Sequence, residues 1–340
     1  MCAPDIAEEP ESLVVTLISV RDSVRRTKMI RIAKAVLLGA VLAGPLAGTA
    51  KSSLAAASLS SSSQDSASHL DLVRAAVANE VAAANDSSAK HMFRSRKQTL
   101  QGSQTRLYVE TREAMAGVTI AYNDKPLSPE QMQGEESRLE GLVGKPEQLS
   151  RKHTQEQEST ERTLRIVKAL PDAFLYDYDG EERGTADLGK DGARLVRLKF
   201  RPNPAYSPPS RVEQVLQGMQ GFVLIDSDAR RIARIDGTLF KEVGFGWGIL
   251  GHLDKGGHFL VEQSEVGDGS WDISHMSLKF TGKILLFKSL AITSDEVFSD
   301  FRHVPAETTF AQGVEMLKAE QAKLAGNHEP GAAAADTKAH

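Results

Sequence analysis

The sequence predicts a mainly β protein of the α+β class, an open antiparallel half-barrel meander packed with a few helices and carrying a charged helical insertion. Three observations lead there. Between Gln220 and Val304 four turn signals recur: Asp226-Ser227-Asp228, Lys255-Gly256-Gly257, Gly267-Asp268-Gly269 and Thr281-Gly282. The segments between them are rich in β-branched, aromatic and leucine residues at hairpin spacing. Ser274 to Phe280 alternates, with Met276, Leu278 and Phe280 to one side and His275, Ser277 and Lys279 to the other. Finally, Gly221-Phe222-Val223-Leu224-Ile225 and Ile284-Leu285-Leu286-Phe287 are apolar on both faces. An antiparallel sheet with one face in water should alternate, so these two strands need cover on both sides.

Length and composition set the bounds. The chain has 340 residues, 41% hydrophobic and 25% charged, which suits one large or two ordinary globular domains. A net charge of −4 argues against a nucleic-acid binder that works by counterion release. The only cysteine is Cys2, so no disulfide framework or cysteine-built metal site can form.

Residues 1–50 read as an N-terminal extension and a secretory signal peptide, with Met29 the expected initiator. Arg31 and Lys34 form a basic start, Ala35 to Ala43 an apolar run, and Gly44-Pro45 breaks it before small residues ending at Ala50. The apolar stretch is shorter than the roughly 20 residues of a spanning helix. Residues 1–50 hold six of the 41 basic and five of the 45 acidic residues. The expected mature chain is therefore net −5, cysteine-free, periplasmic and soluble, and not an integral membrane protein. N-terminal sequencing from the envelope fraction should find a start near Lys51; an intact chain from Met1 in the cytoplasm would overturn this.

Residues 51–66, rich in Ser and Ala, read as a linker, and 67–305 as one half-barrel domain. It opens with a helix over 68–85, whose apolar stripe is Leu70, Val73, Val77 and Val81. Strands follow near 91–99, 104–111 and 117–122. Ser128-Pro129-Glu130-Gln131 is a capping-box helix start. The insertion 128–170 that it opens breaks at Gly144-Lys145-Pro146 and stops at Pro171. Its high charge and few apolar anchors, Leu139, Leu142 and Val143 among them, suggest a solvated projection. Strands resume at 173–178 and 193–200 around a polar, glycine-containing loop. A short helix from Ser210 ends near Gly218, and the meander begins at Gln220. A helix over 306–325 presents Phe310, Val314, Leu317 and Leu324 on one side, before a low-complexity tail at 326–340.

This layout resembles the periplasmic carriers of the lipoprotein localisation system and the sensor domains that share their fold. The residues that carry the resemblance are Gly221-Phe222-Val223-Leu224-Ile225-Asp226, Arg231-Ile232-Ala233-Arg234-Ile235, and Trp271 through Phe287. It covers residues 68–304 and implies an apolar ligand, a lipid or lipoprotein acyl chain, held in the half-barrel. The carriers' functional arginine and hooked loops have no residue-by-residue match here.

Chemistry leaves a fainter trace. His252 and His258 flank Asp254 and read either as metal ligands or as a polar turn; a third tight spacing is missing. Gly244-Phe245-Gly246-Trp247-Gly248 lacks the Lys-Ser/Thr of a phosphate loop and reads as flexible strand or bulge. Arg94-Ser95-Arg96-Lys97 and Glu135-Glu136 read as solvated faces. No Gly-x-Ser-x-Gly elbow occurs. The expectation is a non-enzymatic protein with no cofactor and no metal. It would bind an apolar ligand or lipoprotein through Phe222, Leu224, Trp247, Trp271, Leu285 and Phe287. The alternative is an envelope sensor or interaction module whose sheet meets a protein partner; a filled sheet interior favours it.

Overall fold

The computed structural model describes residues 56–210, 212–245, 251–267, 269–284 and 288–326, with side chains from Ser68 onward except those of Phe245, Ile284 and Ala325. The protein is mainly β, and its sheet is antiparallel and open rather than closed into a barrel. Residues 1–50 and the tail from 327 lie outside the described residues, as do Trp247, Leu285 and Phe287. The chain divides into two compact units, residues 1–87 with 156–296 and residues 88–155 with 297–340, where one domain over 67–305 was expected.

The first unit opens with α1 (Ala56–Asn85), which starts inside the stretch read as a linker. Once the packed, alanine-rich part further along has nucleated the helix, each added residue gains a backbone bond, so the helix can propagate back into the serines. The predicted stripe faces inward: Val73 and Val77 are buried, and Leu70 and Val81 pack beside them. Strands β5 (Phe174–Arg183), β6 (Arg194–Pro202), β7 (Met219–Asp226), β8 (Arg231–Leu239), β11 (His258–Glu265) and β12 (Trp271–Ile284) lie side by side in that order, with β5 at the edge. The short strands β9 (Val243–Phe245) and β10 (Gly251–Leu253) form a hairpin on β12. Thr281-Gly282 is strand rather than turn. Gly282 lies opposite Leu253, and a Cβ there would come within 2.1 Å of the His252 carbonyl oxygen, so glycine serves a close backbone approach.

One face of this sheet carries the main core. Val196, Leu198 and Phe200 of β6, Val223 and Ile225 of β7 and Ile232 of β8 pack against α1 and the end of the helix that closes at Ala173. That helix, α3 (Pro146–Ala173), runs past Pro171 by two residues. The Tyr176 hydroxyl donates to the Leu170 carbonyl at 2.9 Å, satisfying an acceptor at the helix end. Glu80 pins α1 to the sheet. Its carboxylate takes both Arg231 Nε and Nη2, at 2.9 and 3.0 Å, and the Ile232 N–H at 2.9 Å. The Asp226 turn closes as an Asx turn, Oδ1 accepting from Asp228 and Ala229.

The second unit holds β1 (Lys90–Thr99), β2 (Gly102–Val109), β3 (Ala116–Tyr122) and β4 (Lys125–Pro126), with α2 (Pro129–Val143) and α4 (Phe310–Gly326). Strand β13 (Lys288–Val304) contributes its last residues, its first belonging to the other unit. The Ser128 capping box forms in both directions. The region 128–170 is largely solvated, as expected, but it is anchored rather than a free projection. Leu139, 1% exposed, sits in a core with Val118, Val304, Phe310 and Leu317. Leu164 and Leu170 of α3 are buried too. A few leucines at helical spacing suffice to anchor a helix whose other faces are charged.

Helix α2 also guards a sheet edge. Glu135 accepts from the Thr119 N–H at 2.9 Å, and Arg138 donates to the Gly117 carbonyl at 2.8 Å. Both are backbone groups of β3, whose partner β4 reaches only Ala121 and Tyr122. Unpaired edge groups of this kind recruit other strands unless covered. The variant Glu135→Ala/Arg138→Ala should therefore self-associate more readily at unchanged secondary structure, as sedimentation velocity would show.

Candidate functional site

Three of the six candidate lining residues come together. Leu224 and Trp271 share a small apolar cluster with Leu188, Leu195 and Ala233, and Phe222 packs against it. The cluster lies on the face of β7 opposite the main core, so this strand has cover on both sides as its composition requires. Its cover is the chain's own β5–β6 loop. Gly189 donates to the Gln263 carbonyl at 2.7 Å and accepts from Glu265 at 3.0 Å. Ser274 Oγ donates to the Asp187 carbonyl at 2.7 Å. Gly189 has φ +71°, and a Cβ there would touch the Leu195 side chain at 3.0 Å, so only glycine lets the loop lie this close. Leu224 ends fully buried, and Phe222 lies under the Arg197 guanidinium, 3.6 Å from its ring centroid.

Beside β7 the helix-covered face is closed as well. The gap among Val73, Phe174, Tyr176, Val223 and Ile232 amounts to about 10 Å³, at most the room of one water. On the opposite face, beyond the small cluster, ion pairs knit the strands together. Arg197 reaches Asp179 at 3.0 Å and Glu182 at 2.6 Å, and Arg234 holds Glu262 at 2.7 Å.

His275 closes this ladder. Its Nδ1 is 3.0 Å from Glu262 and its Nε2 3.0 Å from Asp295. Carboxylates only accept, so both ring nitrogens must donate and the ring is an imidazolium. Burial lowers its pKa, but the hydrogen bonds it donates to Asp295 and Glu262 outweigh this and hold it above the ordinary 6.5. A folded pKa above the unfolded one stabilises fully below pH about 6.5 and is lost as pH rises through the raised value. Thermal melts of the wild type should therefore fall across that interval, and those of His275→Gln should not. The ring is partly exposed, so the effect is modest.

An open groove runs beside α1. It offers about 1040 Å³ between Ser68, His69, Leu72 and Ala75 of the helix and Tyr178, Arg194 and Val196 of β5 and β6. His69 stacks on Tyr178 with centroids 5.5 Å apart and planes within 13°. Tyr178 is 52% exposed.

The histidine pair is split. His258 turns to Asp236, Nε2 to Oδ1 at 2.9 Å, while His252 faces Asp254 at 3.3 Å. The basic cluster is spent on neighbours, Arg94 on Asp300 at 3.1 Å and Arg96 on Asp124 at 2.6 Å. Sequence reading missed the groove, because its walls are far apart in the chain and each mixes polar and apolar residues. It also missed the loop cover, whose one large apolar residue, Leu188, shows no periodicity.

The chain matches no protein-family model, no curated protein and no solved structure. No described helix is long and apolar enough to cross a membrane.

Proposed function

We propose that the chain is a non-enzymatic interaction module of an exported envelope protein, which seats an extended segment of a protein partner in the α1–β5–β6 groove. The observation that carries this reading is the cover over both faces of β7 among the described residues, by α1 and α3 on one side and the 184–193 loop and ion pairs on the other. A carrier of acyl chains needs an apolar hollow, and the candidate lining residues Phe222, Leu224 and Trp271 are packed against protein instead. The groove offers what a peptide needs: an exposed aromatic platform, apolar floor residues Leu72 and Val196, and charges of both signs. The missing nucleophile motif in the sequence supports the non-enzymatic part.

A photo-crosslinking residue placed at Tyr178 should capture one envelope protein in cells, whereas the same residue at exposed Lys279 should not. Saturable one-to-one binding of a fluorescent fatty acid by the folded wild type, without a crosslink at Tyr178, would overturn the reading in favour of a carrier.

A further inference from the structure

The β9–β10–β12 corner gathers three metal-ligating side chains that the sequence separates. Their placement follows from register. Val243 pairs with Leu253 and Gly244 with His252, so Glu242 comes opposite Asp254 one step further on. His252 and Asp254 are two apart on β10 and its extension, so both project to the same side. Gly244, across from His252, has no side chain to fill the space between them. One donor atom from each of Glu242, His252 and Asp254 lies within 4.8 Å of the other two.

We propose that Glu242, His252 and Asp254 form a binding site for one divalent transition-metal ion of the zinc class. Two ligands each about 2.0–2.1 Å from a tetrahedral zinc lie about 3.3 Å apart. That is the separation of His252 Nε2 and Asp254 Oδ1, 3.3 Å. The second carboxylate oxygen of Asp254 is already held, accepting from Thr281 Oγ1 at 2.6 Å, while the Asp254 N–H donates to the Thr281 carbonyl at 2.9 Å. Outer-shell hydrogen bonds of this kind fix a ligand's orientation before the metal arrives. One imidazole nitrogen with two carboxylate oxygens suits zinc better than magnesium or calcium, which favour all-oxygen sets. Lys283, paired with His252 across β12, leaves the corner net negative against two carboxylates. Three protein ligands leave a fourth position for water or a partner's side chain.

The test is zinc titration of the full chain against a chelating indicator, with melts recorded alongside. Wild type and His258→Ala should each take up one more equivalent of Zn²⁺ than His252→Ala and Asp254→Asn, and zinc should raise only the melts of the first two. Glu242→Gln changes an exposed residue and should weaken uptake without touching the fold. Thr281→Val should weaken it by about 10- to 100-fold, as loss of an outer-shell partner does. Equal zinc uptake by wild type, His252→Ala and Glu242→Gln would overturn the site, since the remaining histidines would then account for all binding.

Discussion

Val223→Asp should largely unfold the first unit. Val223 is 5% exposed, its cross-strand neighbours are Leu198 and Ile235, and the gap beside it holds at most one water. A carboxylate there has no cation in register. Leaving a buried charge uncompensated costs about 3–5 kcal/mol. A typical domain has only about 5–15 kcal/mol in hand. Phe222→Ser, one residue earlier, should do far less. That side chain is half-buried on the other face, with Lys199 and Asp236 as register partners. Circular dichroism melts of the two variants compare them directly. Equal losses would mean that the two faces of β7 are packed alike.

The second large effect belongs to α2. Leu139→Ala should lower stability by about 2–5 kcal/mol, the range for emptying a fully buried leucine site. Its neighbours Val118, Val304, Phe310 and Leu317 come from β3, β13 and α4, which cannot close over the void without moving the sheet. Deleting Pro129–Leu164 and bridging the ends with glycine and serine goes further. It removes Leu139, Leu164 and the Glu135 and Arg138 contacts to β3 together. Cooperative unfolding of the second unit should vanish. A deletion variant with a sharp, unshifted melt would restore the view of 128–170 as a dispensable projection.

The contrast between what sequence did and did not disclose is physical. Strands β1, β2, β3, β5, β6, β7 and β8 announce themselves because hairpin strands are bounded by turn residues whose backbone needs are local. The Ser128 cap and the α1 stripe are equally local, three or four residues apart. The role of α2 and α3 was hidden because charge fraction reports the solvated faces of a helix, whereas one leucine per two turns decides its docking. Thr281-Gly282 misled because glycine marks close backbone approach as readily as a turn. At the metal corner, His252 and Asp254 were legible as near neighbours. Glu242 was not, because only the β9–β10 register brings it across. The burial of Leu224 depended on a polar loop, and polar composition says nothing about where a loop lies.

The division of the chain also governs when it can fold. The second unit is assembled from residues 88–155 and 297–340, so its first half must wait for about 140 intervening residues to be synthesised. Val118 and Leu139 meet Val304, Phe310 and Leu317 only then. Ribosomes add about 5–20 residues per second, so these apolar surfaces stay open for roughly ten seconds or more. Long-range pairing of this kind is slow even once the chain is complete. A holding chaperone therefore has at least this interval in which to engage residues 88–155, and ribosome profiling of chaperone occupancy should show its signal extend through the codons of 156–296 to those of α4.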